Sequence, residues 1–340
     1  MLKKLLPFAG AAALCLLCGA GCAAPEADPA PLNVIFDTDM GNDIDDALAL
    51  DMLYKYADEG RVRLLGITSC KEEPQSVEYL DVMNTFYGYP DLPIGRITEG
   101  APCDRIDSFT RQIAADTSYA RSVADYAKLP ESVSLLRRLL AGQPDGETVL
   151  IAVGFSTNLA RLLASAPDSF SPLAGRELVR RKVRHLYLMA GDFREPAPDL
   201  AEYNVRIDRD AARTVFDEWP TPLTASPFEV GTEICYPVES ILRDFGYARK
   251  HPLAEAYKVY KPMPYDRPMW DPSAVLFAVE PEAGCFTPSV PGRIRVGEDS
   301  QTRFEADPAG THRYLKVDSV QAVRARRRIV ELVTRRPNTF

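Results

Sequence analysis

NVIFDTDMGNDIDDALALDMLYKY, residues 33–56, changes character twice. Asn33–Phe36 is an apolar run of strand length, and Asp45–Tyr56 repeats apolar residues at Leu48, Met52 and Tyr56, the spacing of one helix face. Five aspartates, Asp37, Asp39, Asp43, Asp45 and Asp46, crowd the strand-to-helix turn and the first residues of that helix. Strand, acidic turn, helix is the opening unit of an α/β domain. Further apolar runs follow at Val62–Thr68, Leu92–Gly95, Val149–Gly154, His185–Met189 and Leu223–Pro227. Most are near-continuous rather than alternating, as strands covered on both faces are. Helical patterns at Ser132–Leu140 and Asn158–Ser165 separate some of them. Residues 32–340 are therefore expected to form a single α/β domain with a mostly parallel, Rossmann-like sheet and helices on both faces. Ligands of such folds bind beyond the carboxyl ends of the strands, which is where the acidic turn falls.

Length and charge narrow the function. The 340 residues carry 40 Lys+Arg against 48 Asp+Glu, and 46% are hydrophobic, enough for a large core and too acidic for a general nucleic-acid binder. The one dense basic run, Arg324–Arg328, reads as the solvated face of a C-terminal helix.

Two like charges about 4 Å apart repel by roughly 4 kcal/mol at an effective dielectric of 20, so the five aspartates either splay into water or surround a cation. A hard divalent ion with oxygen ligands, Ca²⁺ most naturally, would neutralise them, and Gly41 permits the tight turn. An EF-hand is excluded, because counting from Asp37 the sixth position is Asn42 and the twelfth Leu48. An Asp-x-Asp phosphatase of the haloacid dehalogenase type and an acidic surface turn remain as alternatives.

Residues 1–21 read as a signal peptide: Lys3 and Lys4, an apolar run from Leu5 to Cys18, then Gly19-Ala20-Gly21. With Cys22 the last three resemble a bacterial lipoprotein processing box in which Cys22 is lipidated, although Gly19 stands where Leu is usual. Residues 22–31, with Pro25, Pro29 and Pro31, read as a tether. The expected location is the cell envelope, with membrane contact only through a lipid anchor; cleavage near Ala24 would instead give a secreted protein. Loss of two lysines with the leader takes the formal charge from −8 to −10. Cys70, Cys103, Cys235 and Cys285 have no paired CxxC spacing that would mark a zinc site.

The acidic turn also resembles the N-terminal signature of the inosine-uridine nucleoside hydrolase family: Asp37-Thr38-Asp39-x-Gly41, then Asp45-Asp46-Ala47, with two extra residues before the Asp pair. Val149–Gly154 followed by Ser156–Ala160, Leu188–Gly191, Ala201–Asn204 with Asp208, and Trp270-Asp271-Pro272 resemble later elements of that family in the same order. The resemblance implies the nucleoside hydrolase fold, a bound Ca²⁺ and hydrolysis of N-ribosidic bonds to a free base and ribose. Carried over by position, Asp39, Asp46, Asp271 and the Val153 carbonyl would be ligands, and Asp39 would take a proton from the Ca²⁺-bound water. Asp45, Met189, Glu202, Asn204 and Trp270 would contact the nucleoside, and relatives imply self-association into dimers or tetramers.

Three departures matter. Many members have His where Trp270 stands, and His185, His251 and His312 lie in no recognisable catalytic context. A Trp-Asp pair resembles the purine-preferring branch, where an aromatic ring stacks on the base. Pro196 stands where some members have an Asn contacting the ribose. The insertion leaves Asp43 as a further candidate ligand or ribose contact, and Glu72 and Glu73 read as solvated acids that could instead face the same pocket. A nucleoside- or sugar-binding lipoprotein without turnover is the alternative from a different functional class.

Overall fold

A computed structural model describes residues 1–2, 30–102 and 109–340, of which Pro31–Phe340 form one compact unit. Nearly all of the expected leader and tether, with Cys22, and also Cys103, lie outside the described residues. Twelve strands occur among those described: β1 (Leu32–Thr38), β2 (Val62–Ser69), β3 (Ile94–Gly95), β4 (Thr148–Ala152), β5 (Val183–Met189), β6 (Leu223–Ser226), β7 (Cys235–Tyr236), β8 (Arg267–Pro268), β9 (Thr287–Pro288), β10 (Gly292–Val296), β11 (Thr302–Ala306) and β12 (His312–Lys316).

The main sheet has the order β11-β10-β12-β6-β5-β4-β1-β2-β3, with β9 attached to β12. From β3 to β12 every neighbouring pair is parallel. β10 runs antiparallel to both β11 and β12, and β9 antiparallel to β12. β7 and β8 make a separate two-stranded ribbon.

The apolar runs become strands because both faces of the sheet are covered. Val34 and Phe36 of β1 join a core with the helices Asp45–Asp58 and Trp270–Val279, whereas Ile35 joins a second core with Ser132–Ala141 and Thr157–Ala164. All three side chains are fully buried. At about 25 cal/mol per Å² of apolar surface, each such residue favours the folded sheet by roughly 1.5–3 kcal/mol.

The expected single α/β domain is observed, with two differences at its edges. The run at Leu92–Gly95 yields only Ile94–Gly95, because the Leu92 N–H closes a turn onto Tyr89 and Pro93 has no N–H to give a ladder. The antiparallel extension β10–β12 was not expected; its strands are five residues long and rich in charge, with only alternate residues of β10 buried.

Candidate active site

The strand order 3-2-1-4-5-6 reverses direction between β1 and β4, and the crevice at their carboxyl ends is the ligand position of this architecture. β1 stops at Thr38, whose hydroxyl donates to Asp46 and accepts the Met40 N–H at 3.1 Å. The chain then reverses: Asn42 N–H donates to the Asp39 carbonyl at 3.2 Å, and Gly41 has φ 113°, a conformation that disfavours side chains. The helix Asp45–Asp58 begins with its two acids in the first turn, where the positive end of the helix dipole favours them. Across the crevice Gly154 follows β4, and a Cβ there would lie 2.6 Å from the Asp39 amide nitrogen and 2.7 Å from its carboxyl carbon. Glycine is what allows β4 to approach Asp39.

Neighbouring strand ends supply the other walls. Asn204 Nδ2 donates to the carbonyls of Val153 (3.1 Å) and Met189 (3.3 Å), joining the ends of β4 and β5. Glu202 caps the short helix Tyr203–Ile207 and accepts the N–H groups of Gly191 (3.0 Å), Asn204 (2.7 Å) and Val205 (3.1 Å), so its carboxylate is fixed. Phe228 lies just after β6 and stacks on Trp270 with centroids 5.3 Å apart, while the Trp270 indole N–H donates to the Phe228 carbonyl at 2.8 Å. Trp270 and Asp271 open the late helix, and the Asp271 N–H donates to Asp45 at 3.2 Å, tying that helix to the acidic turn.

These segments enclose a cavity of about 330 Å³. Asp39, Asp45, Asp46, Val153, Met189, Glu202, Asn204, Trp270 and Asp271, all singled out in the sequence, line it. Asp43 lines it as well, but its carboxylate is paired with Arg267. Asp37 does not: its carboxylate accepts from Thr68 of β2 and from Asn158 at 2.7 Å. Only one acid of the Asp-x-Asp pair therefore faces the cavity, which removes the geometric basis of the phosphatase reading. The surface-turn reading fails too, since Asp39, Asp45, Asp46 and Asp271 are at most 4% exposed. Glu72 and Glu73 are not among the lining residues; Glu73 pairs with Lys71 at 2.9 Å and Glu72 accepts the Ala101 N–H. Glu73 is thus a paired, largely buried acid rather than a solvated one.

The histidines stay out of the cavity. His185 contacts Thr224, His251 the Tyr247 hydroxyl, and His312 Nδ1 accepts the Ile294 N–H. Asn42, Tyr203, Phe228, Tyr260 and Lys261 line it without having been expected to. Phe228 was open to discovery, since it follows a recognised strand. Tyr260 and Lys261 stand at a helix end that periodicity does not mark as functional.

Burial dominates the electrostatics. It pushes Asp39 up to about 6, against the Asn42 hydrogen bond (2.6 Å) and the Lys71 charge. It pushes Asp45 to about 7, with Asp43 adding and Arg267 opposing, and Glu202 to about 7 despite three backbone donors. Asp46 and Asp271 rise well above the carboxylate range, through burial first and then through each other's neighbours Asp39 and Asp45. Among the described residues no three acidic, histidine or cysteine side chains stand as a finished metal cluster. The donors that converge are nonetheless hard oxygens, and their mutual repulsion is what a divalent cation relieves. In donor chemistry the site fits one.

The sequence model of the family "inosine-uridine preferring nucleoside hydrolase" matches residues 34–329. No curated protein matches by sequence. Among solved structures, a plant nucleoside hydrolase is 21% identical with TM-score 0.66, over 89% of this chain and 98% of that one. A purine-preferring ribonucleoside hydrolase from Gardnerella vaginalis is 21% identical with TM-score 0.66, over 89% and 99%. An inosine-uridine preferring nucleoside hydrolase from Bacillus anthracis is 18% identical with TM-score 0.65, over 88% and 99%. These likenesses confirm the fold, and the match over most of the chain, with the acidic crevice at its centre, places the protein in the inosine-uridine preferring nucleoside hydrolase family.

Proposed function

We propose that this nucleoside hydrolase is calcium-dependent and favours purine ribonucleosides, releasing free base and ribose. The observation that carries the reading is the convergence of Asp39, Asp46, Asp271 and the Val153 carbonyl on one cavity that also holds Asp45, Glu202 and Asn204. The first four would hold the ion, which when bound would orient a water molecule and make it easier to deprotonate. Asp39, raised to about 6 yet ionised at neutral pH, is suited to accept that water's proton. Glu202, immobilised by backbone donors, and Asp45, held by the Asp271 N–H, keep lone pairs free for ribose hydroxyls. Breaking the N-glycosidic bond builds positive charge on the ribose, and fixed carboxylates around the ring stabilise it.

The purine preference rests on the wall formed by Trp270 and Phe228 and on the lack of a histidine among the lining residues. An aromatic face holds any base, whereas only a purine has an imidazole nitrogen basic enough to be protonated before departure. Comparing inosine, uridine and a nitrophenyl riboside tests this. Inosine and the nitrophenyl riboside should be cleaved and uridine poorly; equal turnover of uridine would remove the preference. A pure binding protein would bind inosine and release no ribose.

Export with Cys22 as lipid attachment point belongs to the same proposal, on the strength of the leader's pattern. Cys22→Ser should move the protein from the membrane fraction to the soluble one; unchanged membrane retention would contradict it.

A further inference from the structure

Arg267 is 4% exposed and is not among the residues lining the cavity, yet it touches four of them. Its Nη2 pairs with Asp43 and lies 3.5 Å from Asp45 Oδ1, and its guanidinium lies 4.8 Å from the centre of the Trp270 ring. It also lies 5.2 Å from the Tyr260 ring centre. Its backbone is held in place: Arg267 is opposite Tyr236 in the β7–β8 ribbon, and the Met269 N–H bonds the carbonyls of Gly231 (3.1 Å) and Ile234 (2.8 Å). The charge is therefore fixed beside the acidic turn.

Asp43 sits inside that turn, which is two residues longer than the family signature it resembles. Its carboxylate adds a negative charge beside Asp45, Asp46 and Asp271, and Arg267 is the positive charge that meets it. We propose that Arg267 is a positioning residue that cancels the charge of Asp43 and holds Asp45 Oδ1, so that the lengthened turn presents its cation-holding carboxylates with no added net charge. Asp45 is then gripped at both oxygens, by Arg267 at Oδ1 and by the Asp271 N–H at Oδ2. This rests on the calcium site proposed above.

Cancellation has a signature that a scaffolding role lacks. A unit charge a few ångströms beyond the ligands acts on a divalent ion with a sign set by which partner is removed. Arg267→Gln should tighten calcium binding about tenfold at pH 8 and low salt, Asp43→Asn should weaken it about tenfold, and the double variant should return to within about threefold of the native value. Arg267→Lys keeps the charge and should bind calcium as the native protein does. Calorimetric titration with calcium alone reads all four. Weakening by both single changes with additive loss in the double, loss of calcium in Arg267→Lys, or a native chain that binds no calcium would each overturn the inference. Inosine hydrolysis by the native chain is measured alongside. If the calcium pattern holds and no ribose appears, the proposed reaction falls while the charge pairing stands.

Discussion

Asp39 is closely constrained on several sides of the crevice. It lies against Gly154, accepts from Asn42, and is flanked by acids whose charge it shares. Replacement by Asn keeps the shape and removes the proton acceptor, so Asp39→Asn should lower kcat for inosine by about 10² to 10⁴, as loss of a positioned base does. A variant with more than a tenth of native kcat would remove Asp39 from that role. Trp270 is tested differently, because it both stacks on Phe228 and lines the cavity. Base stacking is worth about 1–3 kcal/mol, so Trp270→Ala should cost inosine roughly tenfold or more in kcat/KM. Full inosine turnover in that variant would reduce Trp270 to a packing residue. The acids were legible in the sequence because they cluster within one turn. Arg267 was not: it stands 222 positions from Asp45, and only the folded chain brings them together.

At the level of elements, the strands that build the crevice could be read because burial on both faces leaves an apolar run, as in Val34, Ile35 and Phe36. The outer strands could not, since Thr302–Ala306 is mostly exposed and interrupts its apolar residues with Arg303 and Glu305. The junction that holds β1, β2 and the helix Thr157–Ala164 in register is polar. Asp37 accepts from Thr68 and Asn158, and Asn158 also donates to the Ser69 carbonyl at 3.0 Å. Asn158→Ala removes two buried hydrogen bonds from this junction, leaving Asp37 only its Thr68 donor and the Ser69 carbonyl only the Ser132 hydroxyl, at a cost of about 1–3 kcal/mol, and denaturant melts should show it. Since Asn158 does not line the cavity, calcium affinity should fall less than stability does. An unchanged melting midpoint would show that this junction does not hold the sheet.

On the scale of the whole molecule, the crevice couples stability to pH and to calcium. In the metal-free protein Asp39, Asp45 and Glu202 titrate at about 6, 7 and 7, above their ordinary values of 3.8 and 4.5. Between those limits the folded chain binds more protons than the unfolded one, so stability falls as pH rises through the window. Calcium binds the ionised form and opposes that loss. It should therefore raise Tm by several degrees at pH 8 and by little at pH 5; equal shifts at both would contradict the linkage. Nearly all of this depends on strand ends far apart in the sequence meeting at one switch point, which the order of the motifs indicated and their spacing alone could not. The most direct measurement is the crystal structure of the protein grown with calcium and ribose. One ion should lie about 2.3–2.6 Å from oxygens of Asp39, Asp46, Asp271 and the Val153 carbonyl, with the sugar above it. An ion bound elsewhere, or none at saturating calcium, would contradict that arrangement.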